Sequence, residues 1–129
     1  LKPDGESSVA TFDASSALER LGGDASLLAT VLGSFVERLP AIMQELAHSV
    51  EQRDSDSAGR ALHSLVGTGD AVSARAISLT VRKMAEFLKT GDWVSLADAL
   101  LVLKSDFDDF SGEVARSPYR AEPAGHRLS

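Results

Sequence analysis

A chain of 129 residues with 43% apolar content is long enough to bury one core and is read as one domain. A net charge of −6 argues against nucleic acid or an anionic membrane as the main partner, because both reward a basic surface. The absence of cysteine excludes a disulfide framework, a thiolate nucleophile and a Cys-based zinc site, and fits a reducing cytoplasmic setting. Aromatic residues make up only 5%, so Leu, Ala and Val carry the apolar mass, which favours helices over a β-sandwich.

Residues 1–11 are polar, contain Gly and Pro, and read as a linker. Asp13 is placed to cap a short helix over Ala14 to Leu21, which Gly22-Gly23 ends. Asp24 caps a long helix in which Leu28, Leu32, Phe35, Leu39, Ile42 and Leu46 step by 4, 3, 4, 3 and 4, the spacing of a bundle seam. Pro40 falls inside that pattern and cannot donate its backbone hydrogen bond, which predicts a kink or break near Leu39. After the charged turn from Glu51 to Asp56, a third segment starts at Asp54 or Asp56 and runs to about Gly69 or Ala71. Ser73 is positioned to cap a fourth, with Ile77, Val81, Met84 and Leu88 on its apolar face. Gly91-Asp92 opens the last helix, where Trp93, Leu96, Leu100, Leu103, Phe107, Phe110 and Val114 repeat in a heptad. The tail over 117–129 holds two prolines and little apolar content and reads as disordered. These segments predict an all-α, antiparallel four-helix bundle over residues 12–116 with a short additional N-terminal helix. The longest uninterrupted apolar run, Ala99 to Leu103, falls far below the roughly 20 residues of a membrane span, so direct membrane contact is not expected.

The third segment carries the chemistry. It reads Gly59-Arg60-Ala61-Leu62-His63-Ser64-Leu65-Val66-Gly67. Residues four apart stack on one helix face, so Gly59 and Gly67 sit one turn either side of His63 and leave the imidazole clear. At about 100° per residue, His63 points away from Ala58, Ala61, Leu62 and Leu65. A glycine inside a helix costs about 1 kcal/mol relative to alanine. Two of them around one histidine imply close approach by something large, such as a partner protein. Glu45 and His48 have the Glu-x-x-His spacing of di-iron bundles, but no second copy exists, and both read as solvated flanks. Asp106, Asp108 and Asp109 lack the loop glycine and spacing of an EF-hand. No metal site is expected. Met43 and Met84 fall on seams as core filler, and His126 lies in the tail.

With Ala61-Leu62-His63-Ser64-Leu65-Val66-Gly67 on the page, the chain resembles the histidine-containing phosphotransfer (Hpt) domains of multistep phosphorelays. Their motif is a histidine, a variable residue, leucine, lysine and glycine; the histidine, leucine and glycine match. Leu18-Glu19-Arg20-Leu21-Gly22-Gly23-Asp24 is similar to the family's lead-in segment, and Phe35 to Pro40 to its following helix. The resemblance spans about Phe12 to Val114. It implies that His63 is the phosphoacceptor, that receiver domains of response regulators are the partners, and that the module is a carrier with no kinase ATP-binding domain and no cofactor. Mg²⁺ is expected on the receiver. Because the chain begins at Leu1, it is expected to be a piece of a longer protein, such as the cytoplasmic terminal part of a hybrid sensor kinase, and to be monomeric when isolated.

Two positions depart from the family. Its lysine is Val66 here, and a glycine ten residues after the histidine is Ser73. Lysine would neutralise charge near the phosphoryl group, which valine cannot do. Candidate replacements are Arg60, one turn before His63, and Arg82 and Lys89, which with Ser78 form a stripe that alignment to the family suggests borders the histidine. The docking surface is expected to include Gly59, Ser64, Val66, Gly67 and Ser78. The alternative that Val66 motivates is a helical module that docks a receiver or another signalling protein without accepting phosphate.

Overall fold

The computed structural model describes residues 12–119, which form five α-helices and, among these residues, no strand. They are α1 (Ala14–Arg20), α2 (Ala25–Glu51), α3 (Ser55–Ala71), α4 (Arg75–Lys89) and α5 (Trp93–Arg116). Four of the five start on an aspartate whose carboxylate accepts the amide three residues on: Asp13 from Ser16, Asp24 from Leu27, Asp54 from Ser57 and Asp92 from Ser95, at 3.0–3.1 Å. Each such bond satisfies one of the donors that a helix start leaves without an intrahelical partner.

The three connections within the bundle, 52–54, 72–74 and 90–92, are too short for anything but antiparallel neighbours. Accordingly α2 packs on α3, α3 on α4, α4 on α5, and α5 back on α2, which closes the four-helix ring. The anticipated seams fill its interior: Leu28, Leu32, Phe35 and Leu46 of α2, Ile77, Val81 and Met84 of α4, and Leu96, Leu103 and Phe110 of α5 are buried. The small α1 lies against α2 and is tied to the α3–α4 turn. There the Asp13 amide donates to the Ser73 carbonyl at 3.0 Å and Arg75 donates to the Asp13 carboxylate at 2.8 Å. Phe12 and Phe35 both meet the Phe110 ring edge-on, with centroids 5.6 and 5.4 Å apart, and so join the lead-in segment, α2 and α5 in one aromatic cluster.

Three expectations are corrected. First, of the kink or break expected near Leu39, the break does not occur, because α2 continues through Pro40. Its ring lies on the exposed face, while Leu39 beside it and Leu46 beyond it are buried, so seam packing outweighs one lost backbone bond. Second, Ser73 does not cap α4. It has a left-handed backbone, φ +55°, at the bottom of the α3–α4 turn; the residue before the helix is Ala74, which makes no side-chain cap. That backbone explains why glycine suits this position, because a side chain there is strained. Third, Ser117 to Tyr119 do not belong to a detached tail, for Tyr119 is half-buried against the core. The rest of the expected linker and tail, with His126, lies outside the described residues. One finding bears on the membrane expectation: α2 is long and apolar enough by composition to cross a bilayer. Its apolar stripe is the bundle core, and Glu37 and Arg38 sit at its middle on the exposed face.

Between α4 and α5, Thr80 donates a hydrogen bond to Asp106. Burial pushes this carboxyl above the ordinary carboxylate value, and the charge of Asp109 adds to the effect while the Thr80 bond opposes it. The cap carboxylates of Asp13, Asp54 and Asp92 behave in the opposite way. Asp54 is held below its ordinary value of 3.8 by the Ser57 amide first and the Ser57 hydroxyl second. A depressed carboxyl pKa contributes stability above the unfolded-state value and loses it as pH falls through the folded one. The melting temperature of Asp54→Ala is therefore expected below that of the wild type at pH 7, with the gap closing as pH is lowered beneath 3.8. Ser73→Gly is expected to raise stability by about 1 kcal/mol in urea denaturation, by relieving the left-handed strain. An unchanged or lower midpoint would show that Ser73 is not strained.

Candidate functional site

His63 is the central residue of α3, eight positions from either end, and its side chain is exposed. Ala58, Leu62, Leu65 and Gly69 turn to the interior and direct the imidazole outward. Around it lies an open hollow lined by Ser55, Asp56, Gly59 and Arg60. A neutral imidazole here has one nitrogen with a free lone pair and solvent on its approach side, which is sufficient for a nucleophile whose partner brings the electrophile.

The two flanking glycines are not demanded by internal packing. A Cβ at Gly67 would meet nothing within 4 Å, and one at Gly59 would make an ordinary contact with Leu88 Cδ2 at 3.6 Å. Alanine would fit both sites and favour the helix, so the open surface beside His63 is maintained at a cost in stability. Gly69 is different. A Cβ there would come within 2.9 Å of Ser78 Oγ, so this glycine serves the close approach of α3 and α4 and lies inside the helix, not at its end.

Of the three cations considered as replacements for the missing lysine, Arg60 lies in the His63 hollow and donates to Ser57 Oγ at 3.3 Å. Arg82 is held by Asp70 at 2.7 Å. Asp70 follows His63 by seven residues, on the same face of α3 and about 10 Å along the axis. Lys89 pairs with Glu86 at 3.7 Å and follows Leu88, which faces Gly59, so it stands beside the first half of α3. Among the surface residues, Gly67 and Ser64 are exposed and Gly59 is half-exposed, with Ser64 turned toward a groove shared with Glu45 and His48 of α2. Val66 is half-buried and packs against the core. Ser78 does not lie on this surface. It is 6% exposed beneath Gly69, because the i, i+4 register that aligns it with Arg82 also turns it into the α3–α4 contact.

Glu45 and His48 are exposed, as are Asp108 and Asp109. Among the described residues no group of three or more His, Asp or Glu side chains could hold a metal ion. Sequence reasoning missed Asp70, whose pairing with Arg82 couples α3 to α4 on the histidine side; its spacing of seven from His63 was the available signal.

Against known proteins, no match is found among curated proteins or among solved structures. A family model does match. It is that of the Hpt domain, it covers residues 30–113, more than half of the chain, and within that range lie His63, both flanking glycines, all of α3 and α4 and most of α2 and α5. The chain therefore belongs to the Hpt domain family.

Proposed function

We propose that His63 exchanges a phosphoryl group with the aspartate of response-regulator receiver domains. Hpt domains are the phosphotransfer histidine carriers of phosphorelays, and the exposure of this histidine between two sterically unnecessary helical glycines is the observation that carries the assignment to His63. In the forward step the lone pair of one ring nitrogen attacks phosphorus of the receiver's aspartyl phosphate. The N–P bond forms, the P–O bond to the acyl group breaks, and the carboxylate leaves with the electron pair. The other ring nitrogen keeps its proton through the attack. Return transfer to a second receiver reverses these events.

The site needs little activating machinery, because the phosphoryl group arrives on a high-energy acyl phosphate and the receiver surrounds it with its own charges. This chain supplies access and one nearby cation. Arg60 fills that role best, since it shares the hollow with His63 and is held by no ion pair as close as those of Arg82 and Lys89, although its charge also acts on Asp54. Val66 supports a second reading, in which the same face docks a receiver without accepting phosphate; binding retained by His63→Ala, with no labelling of the wild type by any receiver, would favour it.

Incubation with a ³²P-labelled receiver is expected to give acid-labile label on the wild type and none on His63→Gln; equal labelling of the two sinks the assignment. Gly67→Leu separates docking from folding. Leucine should stabilise the helix by up to about 1 kcal/mol, yet it places a side chain beside the imidazole and should slow transfer at least tenfold. Transfer at the wild-type rate would show that close backbone approach is not required.

A further inference from the structure

A second site lies where α1, α3 and α4 meet, apart from His63 and unused by phosphotransfer. It is an open cleft of about 310 Å³ whose wall includes Arg20, Arg75, Arg82, Asp70, Ser73 and Ser78. Three of the chain's 13 basic side chains thus converge on one cleft in a protein of net charge −6. Arg75 and Arg82 are paired with Asp13 and Asp70, but both guanidinium groups are half-exposed, and surface pairs of this kind are weak and readily exchanged. Arg20 makes no hydrogen bond or ion pair among the described residues.

Two further observations indicate what the cleft takes. Ser73 and Ser78 are 5% and 6% exposed, and neither hydroxyl has a hydrogen-bond partner among the described residues, an unusual condition for two buried polar groups in one wall. The cleft also opens at the first turn of α4, the helix that starts on Ala74 with no side-chain cap, whereas the other four have an aspartate carboxylate at that place. Guanidinium groups, hydroxyls and first-turn amides are all donors, and the dipole of α4 adds positive potential at the same end. Among the described residues the carboxylates a cation would meet here are Asp70 and Asp13, which Arg82 and Arg75 already occupy.

We propose that this cleft binds a small phosphate-bearing anion, whose oxygens take the place at α4 that an aspartate occupies at the other helices. Arg20, unpaired among the described residues, supplies one charge, Arg75 and Arg82 close on the ligand from either side, and Ser73 and Ser78 give the recessed hydroxyl donors. Occupancy draws Arg82 away from Asp70, so it changes the electrostatics of the α3 face that His63 shares.

The test is a titration of the ¹⁵N-labelled chain with pyrophosphate and, separately, inorganic phosphate at constant ionic strength. Backbone amides of Ala76 and Ile77 should shift saturably, while that of His63, nearly two turns from Asp70 along α3, moves less. Arg20→Gln and Ser78→Ala should each weaken pyrophosphate binding at least fivefold. Arg20 is exposed and Ser78→Ala removes an unpaired hydroxyl, so both variants are expected to melt like the wild type or above it. Shifts that do not saturate, shifts centred on His63, or wild-type affinity in either variant would overturn the proposal. Tighter binding of citrate than of pyrophosphate would overturn its assignment to phosphate.

Discussion

The close antiparallel contact of α3 with α4 is the constraint on which the rest of this structure depends. It is read from two points of register: Gly69 against Ser78 near the turn, and Gly59 against Leu88 at the far end. Between them Leu62 and Leu65 are drawn inward to meet Ile77, Val81 and Met84 in the core, and the opposite side of α3 is left facing water. Exposure of His63 follows from that packing as a geometric necessity, since a residue about 130° from the centre of a buried stripe has no neighbour to cover it. Moving Gly69 away from Ser78 would rotate or lift α3 and carry the imidazole with it.

The same contact separates the roles of the glycines. Glycine in a helix is a sacrifice of local stability, and its reason must be sought in whatever comes near. For Gly69 that is Ser78 of the same chain. For Gly67 nothing among the described residues comes near, and for Gly59 only a flexible leucine tip does, so packing within the bundle does not account for their small size. Hpt domains interact with receiver domains in phosphorelays, and under the proposed function such a partner is what the small residues beside His63 accommodate.

Much of the architecture was legible in the residues. Cap aspartates at 13, 24, 54 and 92 and the 3-4 apolar spacing of α2, α4 and α5 place the helices to within about a residue, because those signals are local and the packing reinforces them. The failures share a physical cause. Pro40 is a strong local breaker, but the seam on both sides of it is stronger. Ser73 has the chemistry of a cap yet sits one residue too early, held in a left-handed turn by the Asp13 amide and the packing of α1. Ser78 shares a helical stripe with exposed Arg82, but four residues of one helix cannot reveal how closely a neighbour will approach. Long-range pairs such as Arg82 with Asp70 and Arg75 with Asp13 carry no periodic signature at all and appear only when the elements are assembled.

The midpoint location of His63 has a kinetic consequence. Helices fray from their ends, and eight residues on each side keep that fraying away from the imidazole. Among the described residues no segment covers the ring, whose chief freedoms are χ1 and χ2. Under the proposed exchange, the pace would be governed by diffusional encounter and by a visitor's own rearrangement, and this side of the encounter would act as a passive terminal.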